Sequence, residues 1–94
     1  MLDDTAKADL GKRLRRAEGQ VKAVSRMIEE DAYCIDVLTQ IAAATAAIEK
    51  VGNIVLRQHL ETCVAASFAE GDADDRRQKI DELTKIFGKY SNFG

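Results

Sequence analysis

From Leu10 the apolar positions fall at Leu14, Ala17, Val21, Val24 and Ile28, in steps of three and four, the spacing of a helix with one seam turned toward a neighbouring helix. This predicts a first helix over roughly residues 5–30. Asp31 reads as the N-cap of a second, whose seam starts at Cys34 and continues through Leu38, Ile41, Thr45, Ile48, Gly52, Val55, His59 and Cys63. No proline interrupts it before Gly71, a natural C-terminal stop. The second helix is therefore expected over roughly residues 32–70, on the order of 55 Å long at 1.5 Å per residue. Asp74 or Asp75 is placed to cap a third helix over roughly residues 74–89, with Ile80, Leu83, Phe87 and Tyr90 on one face. The end from Ser91 to Gly94 is expected to fray.

Three helices and no strand signal define an all-α class, and the sparse aromatics, absent proline and abundance of Ala, Leu, Glu, Lys and Arg agree. The 94 residues are read as a single domain, 1–94, without repeats or low-complexity segments. A chain this short buries a limited share of its surface when it folds alone, and its middle helix outgrows a three-helix monomer. Oligomerisation is the expected remedy. The small-residue run Ala42–Ala47 near the middle of that helix would let another helix approach closely. No secretory signal pattern and no apolar stretch of about 20 residues occurs, so the expectation is a cytoplasmic protein without membrane contact.

Charge changes this picture because it is unevenly divided. The formal net charge is −2, yet residues 7–26 hold seven basic and two acidic side chains, so the first helix carries about +5 and the remainder about −7. At about 100° per residue, Lys12, Arg15, Arg16, Lys22 and Arg26 project away from the apolar seam. Such a face is either simply solvated or a phosphate-binding surface. The sequence has no helix-turn-helix, zinc-finger or basic-zipper signature to choose between them. It also has no CxxC, no Ser/His/Asp set and no phosphate loop, so no enzyme and no small-molecule substrate are expected.

The candidate chemistry lies in three residues. His59, the sole histidine, stands four positions before Cys63, and the other cysteine is Cys34. Residues at i and i+4 share a helix face, so His59 and Cys63 form two-thirds of a soft-metal ligand set. A buried packing histidine and two small apolar cysteines would fit the same spacing. Cys34 lies 25 residues before His59, roughly 37 Å along a continuous helix, too far to share a metal or an intrachain disulfide. In a symmetric antiparallel pair of second helices, Cys34 of one protomer instead meets His59 and Cys63 of its partner, giving two equivalent sites per dimer. Two thiolates and one imidazole suit Cu(I). Zn(II) would need a fourth donor such as a carboxylate or water, and an interchain disulfide or persulfide is also compatible. Cys34 falls in the first turn of its helix, a favourable place for an anionic donor.

The stretches GKRLRRAEGQV, MIEEDAYCIDVLTQI and LRQHLETCV closely resemble the copper-sensitive operon repressor (CsoR) family, and the likeness runs from about Lys12 to Tyr90. It implies a three-helix protomer, an antiparallel dimer and a tetramer built as a dimer of dimers. It further implies a repressor that binds operator DNA as apo-protein and releases it on Cu(I) binding, derepressing copper-resistance or efflux genes. By the same resemblance, Cys34, His59 and Cys63 are the metal ligands, and Tyr33 and Glu82 couple the site to DNA release. Arg13 and Lys50 stand at DNA-contact positions, joined on the basic face by Lys12, Arg15 and Arg16. Two departures stand out. Lys50 occupies a position where arginine is expected, which keeps the charge and loses bidentate phosphate geometry, and the loop GDADDRR is a few residues longer. The nickel/cobalt branch of the family adds a histidine near the N-terminus, which MLDDTAKADL lacks, and the persulfide branch dispenses with the histidine present here as His59. Those branches, and a copper-buffering helical oligomer that ignores DNA, are the alternatives.

Overall fold

The computed structural model describes residues 2–89, and those residues contain helices and turns without strands. Tyr90 and the segment 91–94 lie outside the described residues. Helix α1 spans Asp4–Glu29, α2 Cys34–His59, α3 Ala65–Glu70 and α4 Ala73–Lys89. Between α2 and α3, Leu60–Val64 forms a π-helical turn. His59, Val64 and Ala65 all keep right-handed helical dihedrals, so residues 34–70 form one helical run with a widened turn rather than two helices and a loop. Among the described residues, no helix is long and apolar enough to cross a membrane.

Each helix end has an identifiable cause. The Asp3 carboxylate accepts the Ala6 N–H at 2.7 Å, the bond expected of an N-cap, and Asp4 adds negative charge to the first turn of α1. Asp31 does not cap α2. It adopts φ 54°, and the bonds Ala32 N–H to Met27 C=O (2.9 Å) and Asp31 N–H to Ile28 C=O (3.2 Å) make a Schellman ending for α1, with Asp31 in the left-handed position where glycine is usual. Helix α2 therefore starts two residues later than expected. The Tyr33 carbonyl accepts the N–H groups of Asp36 (2.9 Å) and Val37 (3.1 Å), which makes Cys34 the first helical residue. The cap of α4 is Asp72 rather than Asp74 or Asp75, since its carboxylate accepts the Asp75 N–H at 2.8 Å.

Gly71 does stop α3, but not by a left-handed turn, for its backbone is extended (φ −78°, ψ 165°). What it supplies is room: a Cβ here would lie 2.6 Å from the Ser67 carbonyl oxygen and collide with the Asp75 carboxylate. That carboxylate accepts a hydrogen bond from the Ser67 hydroxyl, and Lys79 lies 3.7 Å from it. Ser67 is buried and this bond satisfies it, so the α3–α4 turn is closed by polar contacts around Asp75.

The chain divides into two compact units, Asp3–Gly52 and the part from Asn53 onward. In the first, Leu10, Ala17 and Ala44 are buried. The seam foreseen for α1 splits into two rows: Leu10 and Ala17 turn inward, while Leu14, Val21 and Ile28 stay exposed. An open apolar groove of about 410 Å³ runs between the helices, lined by Val21, Val24, Ile41, Ala44 and Ile48 among others. On α2 the seam residues Leu38, Ile41 and Ile48 are likewise exposed in the single chain. In the second unit, Val64 and Ser67 are buried, and Phe68, Ile80 and Phe87 are about half exposed.

The Schellman ending carries a stability prediction. A left-handed L-residue costs about 1–2 kcal/mol, whereas glycine's extra unfolded-state entropy costs about 0.5–1 kcal/mol. Asp31→Gly is thus expected to stabilise the protein by several tenths to about 1 kcal/mol, read by urea unfolding at fixed protomer concentration. A loss of stability would show that the Asp31 carboxylate has a role of its own there.

Candidate metal centre and basic face

The three candidate donors lie at the start of α2, at its end and in the π-helical turn that follows. Cys34 opens α2 and is exposed, and its thiol is free, as is that of half-buried Cys63. His59 closes α2 and is half-buried, and Cys63 follows in the π-helical turn. Helix α2 is a single element from Cys34 to His59, so the two stand 25 positions apart along it. Among the described residues, no three His, Cys, Asp or Glu side chains converge within the chain. The chain therefore presents a one-donor end and a two-donor end.

The two-donor end has a local feature that the residue pattern does not announce. In the wide turn the Ala65 N–H reaches back to the Leu60 carbonyl, the five-residue spacing of a π-helix, a geometry that recurs at functional sites. The Thr62 hydroxyl donates to the Gln58 carbonyl at 2.6 Å, and the same oxygen lies 3.7 Å from Cys63 Sγ. Thr62 was not among the expected site residues. Its sole trace in the sequence is its place between the two donors.

The other expected residues are distributed as follows. Tyr33 immediately precedes Cys34 and is exposed. Glu82 is exposed on α4, where its carboxylate accepts a 3.2 Å hydrogen bond from Gln78 one turn earlier. On α1, Lys12, Arg15 and Arg16 are exposed, and Lys50 is exposed on α2 within the same unit. Arg13 is less free. It lies at the border of the apolar stripe and pairs with Asp9 through a 3.0 Å Nε–carboxylate contact, an exposed i,i+4 pair of the kind that contributes a few tenths of a kcal/mol at most.

The donor chemistry fits a soft monovalent metal. Two thiols and one imidazole make a three-donor set, and the sequence holds no further His or Cys to complete a zinc tetrahedron.

Comparison with known proteins places the chain in a class. The metal-sensitive transcriptional repressor family matches residues 6–89, and the chain belongs to that family. Its relatives include the copper-sensing transcriptional repressor RicR of Mycobacterium tuberculosis, 57% identical over 65 residues that cover 69% of this chain and 68% of RicR. The copper-sensing repressor CsoR of Geobacillus thermodenitrificans, solved with Cu(I), superposes with a TM-score of 0.87 at 36% identity, over 97% of this chain and 92% of that one. The nickel-responsive transcriptional regulator InrS superposes with a TM-score of 0.74 at 31% identity, over 85% of this chain and 90% of its own. The all-helical fold expected from the residue spacing is thus the fold of solved metal-responsive regulators.

Proposed function

We propose that this protein is a Cu(I)-responsive transcriptional repressor that holds operator DNA as apo-protein and releases it when copper binds, derepressing copper-resistance genes. The observation that carries this reading is the donor set itself, Cys34, His59 and Cys63, on a family member whose copper-sensing relatives are alike over most of its length. In the proposed assembly, second helices pair antiparallel, with Cys34 of one protomer beside His59 and Cys63 of its partner, and two dimers form a tetramer. The exposed row Leu14, Val21 and Ile28 and the open groove beside it supply apolar surface for such pairing. The whole chain acts as one sensing and DNA-binding module in the cytoplasm.

Bound at the proposed site, copper supplies a soft centre that ties the two protomers together through two thiolates and an imidazole. The protein's part is linkage: DNA is released only if the copper-loaded arrangement is the one that binds DNA weakly. We assign Tyr33 and Glu82 to that coupling, because they adjoin the donors in sequence or by family resemblance, and outer partners orient a ligating imidazole. DNA is held by Lys12, Arg13, Arg15, Arg16 and Lys50, repeated over the protomers as a broad positive surface. A nickel-sensing role has the InrS likeness in its favour. Nickel prefers donor sets richer in imidazole, and this sequence contains one histidine, so copper is the better match.

Three experiments address separate parts of the proposal. Replacing Arg13, Arg15 and Arg16 together by Ala is expected to weaken DNA binding and flatten its log–log salt dependence by about 0.9 per lost phosphate contact. Unchanged affinity and slope would move the DNA face elsewhere. Glu82→Gln is expected to keep Cu(I) affinity while copper loses much of its power to displace DNA, and normal displacement would remove Glu82 from the coupling. The shared site is tested by mixing protomers. Cys34→Ala and His59→Ala homodimers each lose tight Cu(I) binding, but a mixed dimer rebuilds one intact site from Cys34 of one protomer and His59 and Cys63 of its partner. It should bind about one Cu(I) per dimer. No recovery in a verified dimer would mean that the ligands do not meet across an interface.

A further inference from the structure

The wide turn around Cys63 has no counterpart in the donor chemistry. Two thiolates and an imidazole could be presented by a regular helix, where residues four apart already share a face. The π-helical turn at Leu60–Val64 takes in one more residue than an α-helical turn. Everything after it is rotated by roughly 100° relative to a regular continuation of α2. That rotation sets the direction of Cys63 relative to His59, and it sets which side of the following residues is buried.

Two side chains bracket the turn. Downstream, buried Ser67 is tied to Asp75 at the start of α4, which fixes the rotation of α3. On the other side, Thr62 Oγ, inside the turn, donates to the carbonyl of Gln58 just upstream of it at 2.6 Å. Thr39 and Thr84 make the same bond one turn back, to Ile35 at 2.8 Å and Ile80 at 2.9 Å, yet both lie in regular α-helix. A threonine hydroxyl does not widen a turn by itself, although such bonds compete with the backbone ladder and bend helices. What distinguishes Thr62 is where its bond falls. It spans the junction, from a carbonyl in the last regular turn of α2 to a residue inside the wide turn. At such a junction the backbone hydrogen-bond pattern changes register.

We infer that Thr62 is a positioning residue for the two-donor end of the metal site: by bonding to the Gln58 carbonyl, its hydroxyl locks the π-helical register that aims Cys63 and His59 at one metal. The inference rests on the proposed assignment of His59 and Cys63 as ligands. Thr62 itself touches no metal in this scheme.

The test compares Thr62→Val, which keeps the branched shape and removes the hydroxyl, with Thr62→Ser, which keeps the hydroxyl. Thr39→Val removes the same kind of bond from regular helix and serves as control. Cu(I) affinity is measured by competition with a chromophoric chelator, and amide hydrogen exchange over residues 60–65 is measured on the apo-protein. Thr62→Val should weaken Cu(I) binding by about tenfold to a hundredfold, the usual cost of losing an outer partner, and should accelerate exchange in the wide turn. Thr62→Ser should stay near the wild-type protein in both, and Thr39→Val should leave affinity unchanged. If Thr62→Val does not fold, Thr62→Ala removes the same hydroxyl with less bulk. Unchanged affinity, equal losses in the Val and Ser variants, or lost affinity with unaltered exchange would each overturn the inference. His59→Ala and Cys63→Ala separate this from a failure of the ligand assignment: if they bind Cu(I) like the wild-type protein, the assignment falls first.

Discussion

An α-helix cannot bring its own ends together, and that constraint organises this protein. Helix α2 is a single helix from Cys34 to His59, so soft donors that would suit one metal stand 25 residues apart along it, whereas one helical turn takes about 3.6. If they act together, they act between chains. A metal held that way reports on assembly, because its affinity depends on how two protomers are aligned. Sensing and quaternary structure then become one equilibrium, and anything that favours one alignment of the paired helices also favours or opposes the metal.

The distribution of apolar surface agrees with that arrangement. The single chain buries few side chains, and Leu38, Ile41 and Ile48 on α2 and Leu14, Val21 and Ile28 on α1 stay exposed. A small chain with so little interior would gain stability if the proposed pairing covered that surface. Charge is set out with similar economy. The basic side chains of α1 give one face a strong positive field in a chain whose formal net charge is −2, and the Asp9–Arg13 pair moderates it locally.

The helices were legible from residue spacing because an amphipathic period of three and four is a direct consequence of 3.6 residues per turn. The residues proposed as ligands can be singled out in the same way, Cys34 by its position at a helix start and His59 with Cys63 by their separation of four. The caps were less so. In DAYC, Asp31 looks like a cap by residue type, but it lies in the left-handed turn that ends α1. In GDADD several carboxylates compete for one role, and hydrogen-bond geometry selects Asp72. The single seam read for α1 merges two rows that face different surroundings, which spacing alone does not separate. The π-helical turn was not legible, since the residue types of Leu60–Val64 suit a regular helix as well as a wide turn. Thr62 was invisible for the same reason. Its hydroxyl matters through where the backbone changes register.

The central claim is that copper and DNA oppose each other through this helix pair. Its most direct test is an anaerobic Cu(I) titration of the protein bound to a fluorescently labelled fragment of its own upstream DNA, followed by anisotropy. The account predicts that anisotropy falls to the value of free DNA as copper reaches about one ion per protomer, as two shared sites per dimer require, while Ni(II) at the same concentration leaves the complex intact. Stoichiometric copper binding with undiminished anisotropy would contradict it, and would leave a helical copper-binding oligomer whose metal does not regulate DNA.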